Sequence, residues 1–235
     1  MSLIKLGRTW FILTAWWIFF APWYVCIAEQ GKTPSAWTNT LPIRTWTDLR
    51  IRNVVLQKLD FSCGAASLAT ISTFYLGKPV TEAQALRIIQ ARYAGPEWKK
   101  KQEVGLSFED LAYIAHQLGL EAQAGEIGLA GILQFQGPVI VHLKKSKDLS
   151  HFSVLRGING MTVYLADPFV GMTPMSLSNF VEEFSGAVLA VWDPDKPLPL
   201  EYVLKLREQD AHYDNPHRIV RQSLYHRLRP IGPSF

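Results

Sequence analysis

The chain has 235 residues, 48% hydrophobic and 19% charged, with a formal net charge of +4. That is ordinary for a globular protein and long enough for one domain with a sizeable core plus extensions. The longest run of like charge is Lys99-Lys100-Lys101, so a nucleic-acid-binding role has little support.

Residues 1–28 carry Lys5 and Arg8, followed by an almost uncharged run from Trp10 to Ala28. This pattern reads as an export signal or a retained membrane anchor, with Cys26 and Ala28 suited to the −3 and −1 positions of a cleavage site before Glu29. The expected location is the periplasm, soluble or anchored to the inner membrane. Of the two cysteines, only Cys63 lies outside this segment. A lone thiol in an oxidising compartment cannot be an intrachain disulfide, so its presence asks for another explanation.

Residues 29–53, with Gly31, Pro34 and Pro42, read as a linker, and the domain is expected over 54–193. A helix is predicted from Cys63 to Leu76, stopped by Gly77. Thr81 with Gln84 forms a capping box that opens a second helix to about Arg92, and Ser107 with Asp110 opens a third over FEDLAYIAHQLG. The stretch AGPEWKKKQEVG between them reads as a loop. The pattern then turns β-rich in GPVIVHLKK (137–145), HFSVLRGI (151–158) and MTVYLAD (161–167), with Asn159-Gly160 as a hairpin signal. A short helix over 176–184 and a last strand over 186–192 follow. Helices first and strands later predict an α+β fold, with N-terminal helices packed on a C-terminal antiparallel sheet. Residues 194–235 are a basic, Pro-containing extension, read as peripheral, with possible helices near 199–208 and 218–228 and solvated His212, His217 and His226.

The stretch QKLDFSCGAASLA (57–69) is where chemistry concentrates. A cysteine in the first turn of a helix faces unpaired N–H groups and the positive end of the dipole, which favours the nucleophilic thiolate. Gln57 is placed to donate its amide beside the Cys63 N–H, giving two donors for an oxyanion, and Gly64 permits close approach. Among the histidines, His116 reads as exposed and His142 as a hydrogen-bonded structural residue. His151 begins a strand whose partner ends at Asp167, fixed by Pro168, a suitable place to orient an imidazole. Register constrains this pairing. A plain two-residue Asn-Gly turn would put His151 and Asp167 on opposite faces, so an odd-length loop or a β-bulge is expected in the hairpin. No paired-ligand spacing supports a metal site, and no GxSxG supports a serine hydrolase.

Gln57, then Cys63-Gly64 at a helix start, then HFSVLRGI and VYLADPFVG, together resemble the C39 peptidases, papain-like cysteine proteases best known for removing double-glycine leaders in peptide-exporting ABC transporters. The resemblance covers about 54–193. It implies a papain-like fold, Cys63 as nucleophile, His151 as general base and acid, Asp167 as orienter, Gln57 as oxyanion donor, and no cofactor. It also implies an extended peptide segment of an exported protein as substrate, with cleavage after Gly-Gly as the family's habit. Many members carry an acidic residue just before the nucleophile, where this chain has Ser62. A free-standing, exported architecture without a transporter domain is similar to the peptidase component of bacterial functional-amyloid export, which adds outer-membrane secretion partners and membrane anchorage through residues 1–28 as expectations. The competing expectation is a C39-like module that grips a peptide without cutting it.

Overall fold

The computed structural model describes residues 45–145, 150–207 and 210. The segment 1–28, most of the linker, and the histidines of the tail lie outside these residues. Among the described residues five helices precede the first strand: α1 (Trp46–Ile51), α2 (Cys63–Phe74), α3 (Glu82–Arg92), α4 (Gly95–Val104) and α5 (Phe108–Gln117). The strands are β1 (Glu121–Glu126), β2 (Val139–Lys144), β3 (Ser150–Asn159), β4 (Thr162–Asp167), β5 (Gly171–Ser176) and β6 (Phe184–Trp192). Two short helices sit among them, α6 (Leu129–Gln134) and α7 (Leu177–Glu183).

The predicted capping boxes form. Thr81 and Gln84 close the start of α3, and Ser107 and Asp110 that of α5, each satisfying helix-end N–H groups that have no partner within the helix. The strands build one six-stranded sheet in the order β1-β6-β2-β3-β4-β5, antiparallel at every pairing. Alternation divides its side chains between two cores. Ile140, Val154, Ala166 and Leu189 pack with α2, α3 and α5, around Leu68, Ile71, Ile89, Leu111 and Ile114. Val139, Val141, Leu143, Leu155, Val163 and Leu165 pack on the other face with Ile132 of α6 and Phe180 of α7. Both faces are covered, which is why β2 and β4 read as nearly continuous apolar runs. Helix α2 is buried from Cys63 through Ser72 on all sides, the central element of the larger core.

Four expectations are corrected. Residues 46–51, read as linker, form α1, capped by Thr45 and Asp48. Its C-terminal end passes so close to β5 that a Cβ at Gly171 would lie 2.4 Å from the Arg50 carbonyl oxygen, and Gly171 has φ +89°. Residues 95–104, read as a loop, form α4. Pro96 sits in the first turn, where its missing N–H costs nothing. This helix buries no residue and is held by Trp98 edge-on to Phe61 and by Lys101 on Asp110. Strands β1 (EAQAGE) and β5 (GMTPMS) carry little apolar signal and were not expected. The segment near 199–207 is not a helix and not peripheral. Leu204 is fully buried, Tyr202 stacks edge-on against Tyr75, and the Leu204 carbonyl accepts from Arg156 Nε at 2.9 Å.

Candidate active site

Cys63 is the first residue of α2, buried and unbridged. Ser62 holds the N-cap position, but its side chain does not cap the helix. The first-turn N–H groups therefore have no side-chain oxygen on them, and the positive end of the helix is open beside the sulfur. Gly64 permits a close approach, here of two side chains. A Cβ there would lie 3.0 Å from Leu111 and 3.1 Å from Phe152, so its missing side chain lets α5 and β3 press against the head of α2. Ser67 Oγ donates to the Phe152 carbonyl at 3.3 Å in the same contact. Phe152 is the neighbour of His151, so this packing is what brings the start of β3 to the start of α2.

The β3–β4 hairpin decides which side chains accompany His151. It turns through Gly160 and Met161, between Asn159 and Thr162, one residue later than the Asn-Gly signal suggested. The register then shifts by one between Leu155 and Gly157, with Arg156 as the extra residue. This bulge changes the parity. Continuing from the Val154–Ala166 pair places Asp167 across from Ser153, so His151 lies two residues along on the same face. Arg156 is pinned from outside the hairpin by the Leu204 and Lys205 carbonyls and by Asp210, at 2.9, 3.4 and 3.0 Å.

The bulge brings His151 Nε2 to 2.9 Å from Asp167 Oδ2. The other carboxylate oxygen accepts from the Phe169 and Val170 N–H groups at 2.8 and 3.3 Å, which fixes the carboxylate plane. With Nε2 committed to Asp167, Nδ1 is the ring nitrogen left for the thiol. Burial pulls the imidazole pKa down, but side-chain interactions with Asp167 and then with Cys63 outweigh it and push the value up to about 9. Burial likewise raises Asp167, and the His151 hydrogen bond with the two backbone N–H groups outweighs it, holding the carboxyl below its ordinary value. At neutral pH the pair is imidazolium and carboxylate.

Gln57 joins this assembly through its backbone, its N–H donating to the Pro168 carbonyl at 2.8 Å, directly after Asp167. Its side-chain Nε2 donates to the Leu59 carbonyl at 3.0 Å, and Oε1 is buried without a hydrogen-bond partner. An amide nitrogen carries two hydrogens, so the Leu59 bond orients the group and leaves a second N–H. His142, read as structural, bonds Ser185 Oγ through Nδ1 at 2.9 Å, and burial, with Lys144 and His151 nearby, lowers its pKa. His116 is half-exposed, beside Glu121. Among the described residues no group of three or more His, Cys, Asp and Glu side chains comes together as a metal-ligand set.

Sequence reading missed one member of the neighbourhood. Glu82, the first residue of α3, is 4% exposed and reaches Ser62 Oγ at 2.5 Å. The only signal was indirect: an acidic residue at the start of a predicted helix, next to the capping Thr81.

Comparison with known proteins decides the family. The sequence model of the peptidase C39 family matches residues 51–196. The chain belongs to the peptidase C39 family. It is therefore a cysteine peptidase. This C39 chain is 34% identical over 160 residues to the "Probable functional amyloid protease FapD" of Pseudomonas aeruginosa, covering 66% of this chain and 69% of that protein. It is 31% identical over 168 residues to the protein of the same name from Pseudomonas fluorescens, covering 68% and 73% of the two chains. Among solved structures, the peptidase domain of Streptococcus ComA, a bifunctional ABC transporter, matches with a TM-score of 0.50 at 24% identity, over 59% of this chain and 96% of that one. That likeness is one of fold: helices on an antiparallel papain-like sheet.

Proposed function

We propose that Cys63 is the nucleophile of this peptidase, His151 its general base and acid, Asp167 the orienter of the ring, and Gln57, with the Cys63 N–H, the oxyanion donor. The observation that carries this reading is the His151–Asp167 hydrogen bond at 2.9 Å, in an imidazole whose basicity is raised in part by Cys63. His151, as general base, takes the proton of the Cys63 thiol. The sulfur attacks the scissile carbonyl carbon, and the carbonyl electron pair moves onto oxygen, where the Gln57 amide and the open α2 N-terminus stabilise it. Collapse of this intermediate breaks the C–N bond while His151 gives its proton to the leaving amine. Water, deprotonated by the same ring, then cleaves the thioester and regenerates the site.

The substrate we infer is an extended segment of an exported protein, cut after Gly-Gly, in support of functional-amyloid secretion in the periplasm. Two lines support the amyloid and export parts of this reading, the relatives named as probable functional amyloid proteases and the basic-then-apolar pattern of residues 1–28, and cleavage after Gly-Gly is what the C39 resemblance implies. No helix among the described residues is long and apolar enough to cross a membrane. In this reading, anchorage through residues 1–28 and contacts with outer-membrane secretion partners bring the enzyme to its client.

Incubating the wild type and Cys63→Ala with candidate exported clients tests the whole reading. The expected result is one discrete cut, its new C-terminus ending in Gly-Gly, that falls at least ~1,000-fold in Cys63→Ala and in His151→Ala. Persistent cleavage by Cys63→Ala would overturn it. Binding of the client by wild type without any cleavage would favour a non-cleaving peptide-binding module instead.

A further inference from the structure

The segment between Gln57 and Cys63 is short, and its shape is set from outside. Thr81 and Gln84 already cap α3, so the adjacent Glu82 is not needed for that task. Its Oε1 crosses instead to the turn before α2, accepting from the Lys58 N–H at 2.8 Å and from Ser62 Oγ at 2.5 Å. Lys58 follows Gln57 and Ser62 precedes Cys63, so one oxygen ties both ends of the turn. Ser62 Oγ also lies 2.8 Å from the Leu59 carbonyl and accepts from the Leu59 N–H at 3.3 Å. The Leu59 carbonyl is the same one that receives Gln57 Nε2. The connection runs unbroken from Glu82 through Ser62 and Leu59 to the Gln57 amide.

None of the ion pairs among the described residues involves Glu82. A buried carboxylate without a cation is costly unless its lone pairs are filled by donors. Here the donors come from the one turn that links the two proposed oxyanion donors. Ser62 is also withheld from capping α2 by this bonding, which leaves the helix N-terminus open beside Cys63. We propose that Glu82 is a positioning residue for acyl transfer, holding the Gln57–Ser62 turn so that the Gln57 amide and the N-terminus of α2 converge on one oxyanion. This rests on the reading of Gln57 as an oxyanion donor.

Two small reagents separate that role from a general structural one. With p-nitrophenyl acetate, the Cys63 sulfur bonds to the acyl carbon, an oxyanion forms, the C–O bond breaks and p-nitrophenolate leaves. With iodoacetamide, the S–C bond forms as the C–I bond breaks, iodide leaves, and no oxyanion arises. The readout is the ratio of the two rate constants at Cys63, with Cys63→Ala as the background. Gln57→Ala is expected to lower the ratio about 10-fold or more. Glu82→Ala is expected to lower it about 10-fold, and Ser62→Ala likewise, with iodoacetamide reactivity within about twofold of wild type. Gln57→Ala/Glu82→Ala is expected to match Gln57→Ala alone, because both changes act on one group. An unchanged ratio in Glu82→Ala and Ser62→Ala, beside a lowered one in Gln57→Ala, overturns the role of Glu82. Equal loss of both rate constants in Glu82→Ala also overturns it, since that marks a structural defect. An unchanged ratio in Gln57→Ala overturns the oxyanion reading itself. If Glu82→Ala does not fold, Ser62→Ala decides, since it leaves Glu82 on the Lys58 N–H.

Discussion

Asp110 and Asp167 are both buried carboxylates that collect several hydrogen bonds, yet they differ in what their partners allow. Asp110, fully buried, accepts from Tyr93 Oη at 2.6 Å, Lys101 Nζ at 2.5 Å, and the Ser107 N–H and Oγ at 2.7 and 3.0 Å. It binds α4 and Tyr93 to the start of α5. Asp167 accepts from two backbone N–H groups and from one imidazole. The difference lies in the cation. A lysine paired this way keeps its proton across the whole working range of pH, so the cluster at Asp110 can only hold. A histidine gives up and takes back a proton within that range, so the pair at Asp167 can hold and also act.

The largest effect of breaking the comparison is expected at the holding site. Asp110→Ala leaves Lys101 and Tyr93 without their acceptor and removes the capping box of α5. A loss of about 3 kcal/mol in urea unfolding is expected, with client cleavage per folded molecule unchanged. A loss of cleavage in the folded fraction would show that α4 has a part in catalysis. Asp167→Asn is expected to invert the pattern. The carboxamide keeps the size and the backbone contacts but not the charge, so cleavage falls roughly 100-fold while unfolding changes by only ~1 kcal/mol.

The smallest effect sharpens the contrast through pH. His151 is raised from its ordinary 6.5 to about 9, so the stability it contributes is fully present below pH 6.5 and lost as pH rises through 9. At the other site burial lowers the Lys101 pKa, but the Asp110 hydrogen bond outweighs it and leaves the amine above its ordinary value, while Asp110 stays below its own despite burial. Its contribution is therefore constant between pH 6 and 9.5. Urea unfolding across that window should show the advantage of wild type over Asp167→Asn shrinking by most of its ~1 kcal/mol, and the advantage over Asp110→Ala staying flat. A flat difference at Asp167 would mean that the imidazole is not raised in the folded protein.

Much of this was written in local sequence. The boxes at Thr81 and Ser107 are contacts across three residues, so the residues that make them also announce them. Cys63 at a helix start, and the parity argument that required an irregularity between His151 and Asp167, likewise needed only spacing. Helix α4 escaped because it has no apolar face, and its hold comes from single contacts with Phe61 and Asp110. Strands β1 and β5 escaped because they sit at the two edges of the sheet and borrow their order from neighbours. Glu82 is twenty residues from Ser62, and no periodicity marks a contact at that separation.

The sequence alone determined the peptidase family's motifs, the helix starts and the need for a break in the hairpin, because these depend on neighbours a few residues apart. Tertiary structure alone decided where the break falls and what holds it. The bulge sits at Arg156, a residue clamped by carbonyls almost fifty positions downstream, and the thiol and the imidazole come together beside a contact in which the missing side chain at Gly64 lets Phe152 reach the head of α2. Such contacts are fixed by volume and by buried hydrogen bonds, and neither acts until the chain has folded.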